Sequence, residues 1–352
     1  MIIVVNKNAT DNEIKALKDF LVKKGVEIQE NDGISKKIIG IIGDKHNLDK
    51  DAIFAFSCVE KVIPIMESYK LASRKFHPSN TVVDVNGVKI GGLTPVQMAG
   101  PCSVESEEQI WGIAEELSKQ GVDVLRGGIF KPRSSPYSFQ GIGEVGLSWI
   151  KDAGKHFGMP VISEVMEIKQ IEQMYDYIDI FQVGARNMQN FRLLEALGKT
   201  NKPIMLKRGI SAKFSEFLMS AEYILSNGNE KVILCERGIR TFVEYTRNTL
   251  DISVIPMIKN VSHLPIIVDP SHATGRTDLI TPVTFAGLVA GADGFIIEVH
   301  SKPQEALSDG AQQLNFSQFD KMMKDYNLIK DSIIQLRKNN HFKIEKDVSD
   351  SL

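Results

Sequence analysis

Hydrophobic residues follow two different patterns along this chain, and the pattern changes near residue 81. This change predicts two domains joined by a polar linker at residues 67–80. The first domain, residues 1–66, alternates between strand-like and helix-like periods in the order βαββαβ, which is typical of a ferredoxin-like fold. Its strands are predicted at 2–5, 26–30, 37–42 and 59–65 and its helices at 11–24 and 49–56.

The second domain, residues 81–338, opens with an alternating segment around Asn86 and Gly87, which predicts a β-hairpin with a type I′ turn. Short continuous apolar runs then alternate with amphipathic helices, as in parallel strands covered on both faces. The eight runs are VQMAGPCS, VDVLRGGIF, PVISEVM, IDIFQVGAR, KPIMLKRG, KVILCERG, LPIIVDPSH and GFIIEVHS. They predict an α/β fold, a (β/α)8 TIM barrel with the hairpin closing its bottom, followed by a polar tail at residues 339–352.

Polar residues gather at the carboxyl ends of these strands, the edge that carries the active site in TIM barrels. Cys102 follows the first strand, His272 follows the seventh, and Glu298 and Asp309 lie at and after the end of the eighth. These three strands are neighbours only if the barrel closes. Closure therefore predicts a site for one divalent metal ion, Mn²⁺, Fe²⁺, Co²⁺ or Zn²⁺, because the ligands are a mixed soft and hard set.

A second group on the same edge is cationic, and it comprises Arg126, Lys131, Arg186, Lys207 and Arg237. The whole chain carries a formal net charge of −2, so these cations predict a local site for a polyanionic small molecule and no nucleic-acid surface. No apolar run is long enough and free enough of charge to cross a bilayer. Three widely spaced cysteines argue against a disulfide framework and indicate a reducing compartment. We therefore expect a cytoplasmic protein, and the apolar runs predict no membrane partner.

Several long motifs resemble one enzyme family in the order in which they occur along the chain. They are LRGGIFKPRSSPYSFQG, GARNMQN, LCERGIRTF, DPSHATG and EVHSKPQEALSDGAQQL. Together they resemble the metal-dependent 3-deoxy-D-arabino-heptulosonate 7-phosphate (DAHP) synthases, and the N-terminal domain resembles that of the type I beta branch. The resemblance covers about residues 1–338.

The resemblance implies a transferase that condenses phosphoenolpyruvate with erythrose 4-phosphate and water, giving DAHP and phosphate as the first step of the shikimate pathway. By this resemblance the metal ligands are Cys102, His272, Glu298 and Asp309. The residues that bind phosphoenolpyruvate are then Arg126, Lys131, Ala185, Arg186, Lys207 and Arg237. Arg133 and Ser134 bind the aldose phosphate, although the family usually has Thr in place of Ser134.

Two catalytic roles stay open at this point. The proton for the aldehyde oxygen comes either from Lys131 or from a water on the metal, and the sequence favours neither. Glu164, at the end of the third strand, either orients the attacking water or only balances the cations around it.

Two other enzyme classes share part of the pattern. The sister synthase that uses arabinose 5-phosphate and makes 3-deoxy-manno-octulosonate 8-phosphate differs at the Lys-Pro-Arg of residues 131–133, where this chain has the DAHP synthase version. Gly141, Gly143 and Gly146 spell the dinucleotide-binding pattern GxGxxG. The ten residues KPRSSPYSFQ separate that pattern from its strand, which argues against a dinucleotide site.

The N-terminal domain contributes no residue to either group on the barrel edge. It is therefore either a regulator or a buttress for the barrel, and the charged edge argues against a sensor on an inert barrel. In the resembling family this domain is linked to feedback inhibition by aromatic amino acids, so the resemblance implies tyrosine or phenylalanine as effectors. We expect a homotetramer.

Overall fold

The structure, a computed structural model, describes residues 1–32, 37–42, 48–63, 69–132 and 135–339. The chain divides into two compact units, residues 1–80 with 261–263, and residues 81–260 with 264 onward. Residues 67–68 of the predicted linker, and the predicted polar tail from residue 340 on, lie outside the described residues.

The elements alternate in both units. The strands are β1 (Ile2–Val5), β2 (Glu27–Asp32), β3 (Lys37–Ile42), β4 (Val59–Ile63), β5 (Val83–Val85), β6 (Val88–Ile90), β7 (Val96–Gly100), β8 (Val124–Arg126), β9 (Val161–Glu164), β10 (Ile180–Val183), β11 (Ile204–Lys207), β12 (Val232–Glu236), β13 (Ile266–Val268) and β14 (Gly294–Glu298). The helices are α1 (Asp11–Lys23), α2 (Lys50–Phe54), α3 (Glu107–Lys119), α4 (Val145–His156), α5 (Ile168–Met174), α6 (Phe191–Gly198), α7 (Phe214–Ser226), α8 (Val254–Val261), α9 (Pro270–Thr274), α10 (Thr277–Val289) and α11 (Phe316–Lys338). Short 3-10 helices lie at Ala185–Asn187, Pro303–Glu305 and Gly310–Gln312.

In the first unit, the described strands form an antiparallel sheet in the order β2-β3-β1-β4. A capping box begins α1, because Thr10 accepts a hydrogen bond from the backbone N–H of Glu13 and the Glu13 carboxylate accepts one from the N–H of Thr10. The apolar face of α1 is buried in the core of this unit through Ile14, Leu17 and Leu21. The strand order confirms the predicted ferredoxin-like fold.

In the second unit, the eight described strands β7–β14 form a closed barrel, and every neighbouring pair is parallel. The predicted TIM barrel is therefore confirmed, including the pairing of β14 with β7 that closes it. Among the described residues, no helix combines the length and hydropathy that a membrane span requires.

The hairpin β5–β6 packs at the bottom of this barrel. Its turn residues Asn86 and Gly87 have φ values of 52° and 93°, as the predicted type I′ turn requires. Val83, Val85 and Ile90 are buried in one apolar cluster with the inward-facing side chains of the barrel strands. The hairpin therefore fills the lower end of the barrel and leaves the upper end for the site.

Charged residues occupy the last position of several buried strands. Arg126 ends β8, Lys207 ends β11, Glu236 ends β12 and Glu298 ends β14, and all four are buried. A buried charge is tolerated when it is paired or when it meets a ligand. The upper end of the barrel therefore concentrates charge that the protein and its ligands must balance.

Candidate active site

Cys102 lies just beyond β7, and its position is fixed from three sides. Its backbone N–H donates to Oε1 of Gln313 at 3.0 Å. The ammonium of Lys131 lies 3.0 Å from both the carbonyl oxygen and Sγ of Cys102. Gly100 lets the chain pass β8 closely, because a Cβ there would lie 1.9 Å from the carbonyl oxygen of Arg126. The Cys102 thiol is therefore held, fully buried, at the centre of the upper barrel edge.

Three of the four predicted metal ligands come together at this point. Potential ligand atoms of Cys102, Glu298 and Asp309 all lie within 4.8 Å of one another. Asp309 reaches Sγ of Cys102 to 3.7 Å through its Oδ2 and adopts a left-handed backbone conformation, φ 46°, that Asp tolerates better than most residues. Among the described residues, the arrangement brings together the predicted thiol and both predicted carboxylates.

His272, the fourth predicted ligand, adjoins this group through Glu298. Its Nε2 lies 3.5 Å from Oε1 of Glu298, and its Nδ1 lies 2.8 Å from Oδ2 of Asp269. Burial lowers the pKa of His272 and outweighs the carboxylates, which raise it, so the imidazole is neutral near pH 7. A neutral ring whose Nδ1 faces a carboxylate and whose Nε2 faces the ligand group has the form of a metal-ligating histidine.

The protonation of the group also fits a divalent metal ion. Burial, together with the charge of Glu298, raises the pKa of the Cys102 thiol to about 11, although Lys131 and Arg126 oppose the rise. Without a cation the sulfur therefore keeps its proton, and a metal ion would displace it. A thiolate, an imidazole and two carboxylates suit Mn²⁺, Fe²⁺, Co²⁺ or Zn²⁺ better than Mg²⁺.

Glu298 accepts a charge-assisted hydrogen bond at one oxygen and an amide hydrogen bond at the other. Arg126 Nη1 donates to Oε1 at 2.6 Å, and Gln312 Nε2 donates to Oε2 at 2.6 Å. Burial would raise the pKa of this carboxyl, but His272, Arg126 and Lys131 lower it by more. Glu298 is therefore ionised near pH 7, and its two hydrogen bonds fix its orientation.

A cavity of about 760 Å³ opens beside this group. All five predicted cations line it, and the described residues add two arginines that sequence reasoning missed. The full set is Arg126, Lys131, Arg186, Lys207, Arg237, Arg240 and Arg247. Such a concentration of like charge in one cavity is favourable only around a polyanionic ligand.

The cations differ in how far the protein itself neutralises them. Lys207 donates to Oδ2 of Asp269 at 2.6 Å in a buried ion pair. Arg186 donates to the carbonyl oxygen of Pro132 at 3.2 Å, and Arg237 donates to the carbonyl oxygens of Gly238 and His272. Neutral carbonyl groups do not cancel a charge. The positive charges of Arg186 and Arg237 are therefore available to a ligand. Burial lowers the pKa of Arg237, which shows that burying this charge is unfavourable.

Glu164 is an acidic residue in the lining of the cavity, and its side chain lies against the chain turn after β10. Gly184 begins that turn, and Ala185, a predicted phosphoenolpyruvate contact, follows it on the cavity wall. A Cβ at Gly184 would lie 2.0 Å from Oε1 of Glu164, so only glycine leaves room for this carboxylate.

Arg133 and Ser134, the predicted aldose phosphate contacts, lie outside the described residues. Pro132 and Ser135, which flank them in the chain, both line the cavity.

Arg240 and Arg247 were missed because they lie in an irregular loop between β12 and α8, where no period marks a direction. Arg208, by contrast, was not among the predicted site residues and does not line the cavity. It follows Lys207 directly and pairs with Glu236 at 3.0 Å and Asp251 at 2.9 Å, away from the cavity lining. Only the side-chain partner, which the sequence does not show, separates this structural arginine from the ligand-facing ones.

Two sequence families match the chain. Residues 76–332 match the family described as the DAHP synthetase I family. Residues 1–67 match the DAHP synthase ferredoxin-like domain.

Similar proteins come from two enzyme groups. The phospho-2-dehydro-3-deoxyheptonate aldolase of Thermotoga maritima is 47% identical over 333 residues, which cover 95% of this chain and 98% of that protein. The 2-dehydro-3-deoxyphosphooctonate aldolase of Geobacter sulfurreducens is 30% identical over 274 residues, which cover 72% of this chain and 98% of that protein. The match to the second protein is thus both weaker and shorter.

Solved structures agree with the first group. The crystal structure of the DAHP synthase from Thermotoga maritima matches with a TM-score of 0.76 at 46% identity, over 95% of this chain and 98% of that one. A truncated form of the 3-deoxy-D-arabino-heptulosonate 7-phosphate synthase from Thermotoga maritima matches with a TM-score of 0.71 at 48% identity, over 76% of this chain and 98% of that one.

We expect Gly184→Ala to weaken anion binding while leaving the fold intact. The added methyl forces the Glu164 carboxylate to move, and this carboxylate is the free end of a flexible side chain beside the cations. A misplaced negative charge worth about 1.4 kcal/mol would raise the Kd for inorganic phosphate roughly tenfold, measurable by calorimetry. Gly112→Ala in α3, where a Cβ meets nothing within 4 Å, is the matched control. Unchanged phosphate affinity in Gly184→Ala would contradict this account.

Proposed function

The chain belongs to the DAHP synthetase I family, and from this membership we propose how its barrel carries out the DAHP synthase reaction. The enzyme condenses phosphoenolpyruvate with erythrose 4-phosphate and water, and it releases DAHP and phosphate. One observation carries the assignment of the chemistry to this site. The thiol–carboxylate group of Cys102, Glu298 and Asp309 borders a cavity lined by cations, so an electrophile and an anionic nucleophile can be held side by side.

Phosphoenolpyruvate binds among the strand-end cations. Arg126 and Lys207 are already paired with Glu298 and Asp269, so they supply geometry and hydrogen-bond donors more than net charge. Arg186 and Arg237, which donate to neutral carbonyl groups, supply the charge that a phosphate and a carboxylate require. The remaining contacts of this substrate are Lys131 and Ala185, both on the cavity wall.

Cys102, His272, Glu298 and Asp309 would hold one divalent metal ion, Mn²⁺, Fe²⁺, Co²⁺ or Zn²⁺. When bound, this ion supplies the Lewis acid that polarises the aldehyde of erythrose 4-phosphate. Oδ2 of Asp269 lies 2.8 Å from Nδ1 of His272 and favours an N–H on that nitrogen, and Gln313 accepts a hydrogen bond from the backbone of Cys102. The ligand group is therefore built before the ion arrives.

Lys131 is the proton donor to the aldehyde oxygen as the new carbon–carbon bond forms. Burial would lower the pKa of Lys131, but Cys102, once ionised, and the carboxylate of Glu298 raise it by more, so the ammonium is protonated near pH 7. Its Nζ lies 3.0 Å from Cys102 Sγ, and Lys131 also lines the cavity, so the ammonium adjoins both the predicted metal ligands and the proposed substrate site, which supports this role. Glu164, in the lining of the cavity, accepts a hydrogen bond from the water that adds to the enol carbon.

Erythrose 4-phosphate places its phosphate at Arg133 and Ser134. This assignment rests on the sequence resemblance, and the lining of the cavity by the flanking residues Pro132 and Ser135 supports it.

The alternative function is that of the octulosonate phosphate aldolases, because one of them is 30% identical over 72% of the chain. The Lys-Pro-Arg of residues 131–133 and the N-terminal domain match favour erythrose 4-phosphate. The loss of phosphoenolpyruvate absorbance, followed with erythrose 4-phosphate and with arabinose 5-phosphate in parallel, distinguishes the two.

The N-terminal unit is a regulatory domain that binds tyrosine or phenylalanine in a homotetramer. Its match to the DAHP synthase ferredoxin-like domain supports this role, and the cavity is lined by residues of the barrel unit alone among the described residues. A domain that only buttresses the barrel is the alternative.

We also propose a cytoplasmic location, because all three cysteines are free and a thiol ligand is best preserved in a reducing compartment.

Removal of metal should abolish turnover. We expect a chelator to reduce activity to background and Mn²⁺ or a similar ion to restore it, because the aldehyde is otherwise not polarised. Cys102→Ala should not be rescued by added metal, whereas Cys235→Ala, which changes a buried cysteine outside the ligand group, should keep its metal response. Full activity of the chelated enzyme or of Cys102→Ala would refute the metal assignment.

The two anion sites should separate kinetically. We expect Arg186→Ala to impair mainly the use of phosphoenolpyruvate and Arg133→Ala mainly the use of the aldose phosphate, each by about 2 kcal/mol in kcat/KM if one charge-assisted hydrogen bond is lost. Arg192→Ala, which removes a highly exposed arginine from α6, is the control. An unchanged KM for erythrose 4-phosphate in Arg133→Ala would show that this loop does not bind the aldose phosphate.

Removal of the N-terminal unit should remove regulation and keep catalysis. We expect a chain that begins at Phe76 to turn over phosphoenolpyruvate but to lose inhibition by tyrosine and phenylalanine, and the solved truncated relative supports the folding of such a barrel. Initial rates with and without each amino acid, for the whole and the shortened chain, measure this. Equal inhibition of both chains would contradict the regulatory role, and a whole chain that responds to neither amino acid would favour the buttress.

A further inference from the structure

Gln312 touches the candidate metal group without belonging to it. It ends the 3-10 helix Gly310–Gln312, three residues after Asp309, and only 3% of its surface is exposed. Its Nε2 donates to Oε2 of Glu298 at 2.6 Å, and its Oε1 accepts from Nη1 of Arg247 at 2.9 Å. One buried amide therefore joins a predicted metal ligand to an arginine on the cavity wall.

The two neighbours determine which way this amide faces. A carboxylate such as Glu298 only accepts hydrogen bonds, and a guanidinium such as Arg247 only donates them. The reversed amide would place oxygen against oxygen at Glu298 and nitrogen against nitrogen at Arg247. Gln312 is therefore held in one orientation, with its N–H group toward Glu298.

The hydrogen bond from Gln312 restricts how Glu298 can coordinate a metal ion. Arg126 takes one lone pair of Oε1 and Gln312 takes one lone pair of Oε2, so the carboxylate cannot rotate without breaking a buried hydrogen bond. One lone pair on each oxygen remains for a ligand. The plane of the carboxylate is thus set by the two donors and not by the ion.

Arg247 extends the contact to the cavity. Its side chain is 43% exposed, lines the cavity, and lies 3.7 Å from Oδ2 of Asp309 through the same Nη1 that donates to Gln312. The guanidinium therefore borders both carboxylates of the metal group, one directly and one through Gln312. It also faces any anion in the cavity.

We propose that Gln312 is a positioning residue for the metal ion, which orients Glu298 and is itself oriented by Arg247. The inference rests on the proposed metal site. It predicts that metal affinity depends on an amide that contacts neither the ion nor the substrates. Outer contacts of metal ligands typically change affinity by about 10- to 100-fold.

The test is a Co²⁺ titration of the chelated full-length protein, followed by the thiolate-to-cobalt absorption band and by competition with a chromophoric chelator. We expect Gln312→Met, which keeps the length of the side chain but removes the donor, to raise the Co²⁺ Kd about 10- to 100-fold. Gln312→Glu, equal in size and still a partner for Arg247, should raise it further, because it sets an acceptor against Glu298. A role in packing alone would leave Gln312→Glu close to the parent protein.

Matched controls separate this effect from a general loss of stability. Gln173→Met removes another glutamine-to-glutamate hydrogen bond, the 2.5 Å contact with Glu144 near the surface, and should leave the Co²⁺ Kd unchanged. The thermal midpoint of each metal-free variant gives the stability change apart from the metal. An unchanged Co²⁺ Kd in both Gln312 variants, with normal Co²⁺ binding by the parent, overturns the inference, whereas absent thiolate–cobalt binding by the parent overturns the metal site itself.

A double-mutant cycle tests the part played by Arg247. We expect Arg247→Met to raise the Co²⁺ Kd by a smaller factor, and to add little in the Gln312→Met background, because the arginine then has no amide to orient. Fully additive factors would show that Arg247 acts independently of Gln312, through Asp309, and would overturn this step of the proposal.

Discussion

Buried pairs of opposite charge at the upper edge of the barrel are the interaction on which the rest of the site depends. In the described residues, Arg126 meets Glu298 at 2.6 Å, Lys207 meets Asp269 at 2.6 Å, and Arg208 meets Glu236 at 3.0 Å. Removing one partner of such a pair leaves an uncompensated buried charge, which typically costs about 3–5 kcal/mol. The pairs therefore fix side chains from different strands in one arrangement that cannot be altered one residue at a time.

The same carboxylates serve two sites at once. Glu298 pairs with Arg126 and belongs to the candidate metal group, and Asp269 pairs with Lys207 while its Oδ2 lies 2.8 Å from Nδ1 of His272. Both carboxyls have a lowered pKa, because nearby cations outweigh the effect of burial. The cation-lined cavity and the candidate metal group are therefore parts of one network of charge, and we expect binding in either to change the electrostatic field in the other.

The sequence predicted those features that depend on local pattern or on strand position. The strands, the Asn86-Gly87 turn and the two-domain order follow from periodicity and turn chemistry, and the strand-end residues converge once the barrel closes. The sequence could not predict in the same way which charged side chains pair with each other. Nothing in the sequence distinguishes Arg208, which pairs with Glu236, from Lys207 beside it, and Gln312 carries no charge that would mark it. The loop arginines Arg240 and Arg247 were missed because loops have no period.

Strand-end residues and loop residues of this barrel are under different physical constraints. Buried, paired residues at strand ends are constrained by the cost of an unpaired charge, so these residues are expected to be common to related enzymes. Loop residues such as Arg240 carry no such constraint, because exposed charges are nearly free to change. A relative named as a 2-dehydro-3-deoxyphosphooctonate aldolase still matches 72% of this chain at 30% identity. We expect the choice of aldose to depend on the irregular segments after β8 and β12, because several of their residues line the cavity.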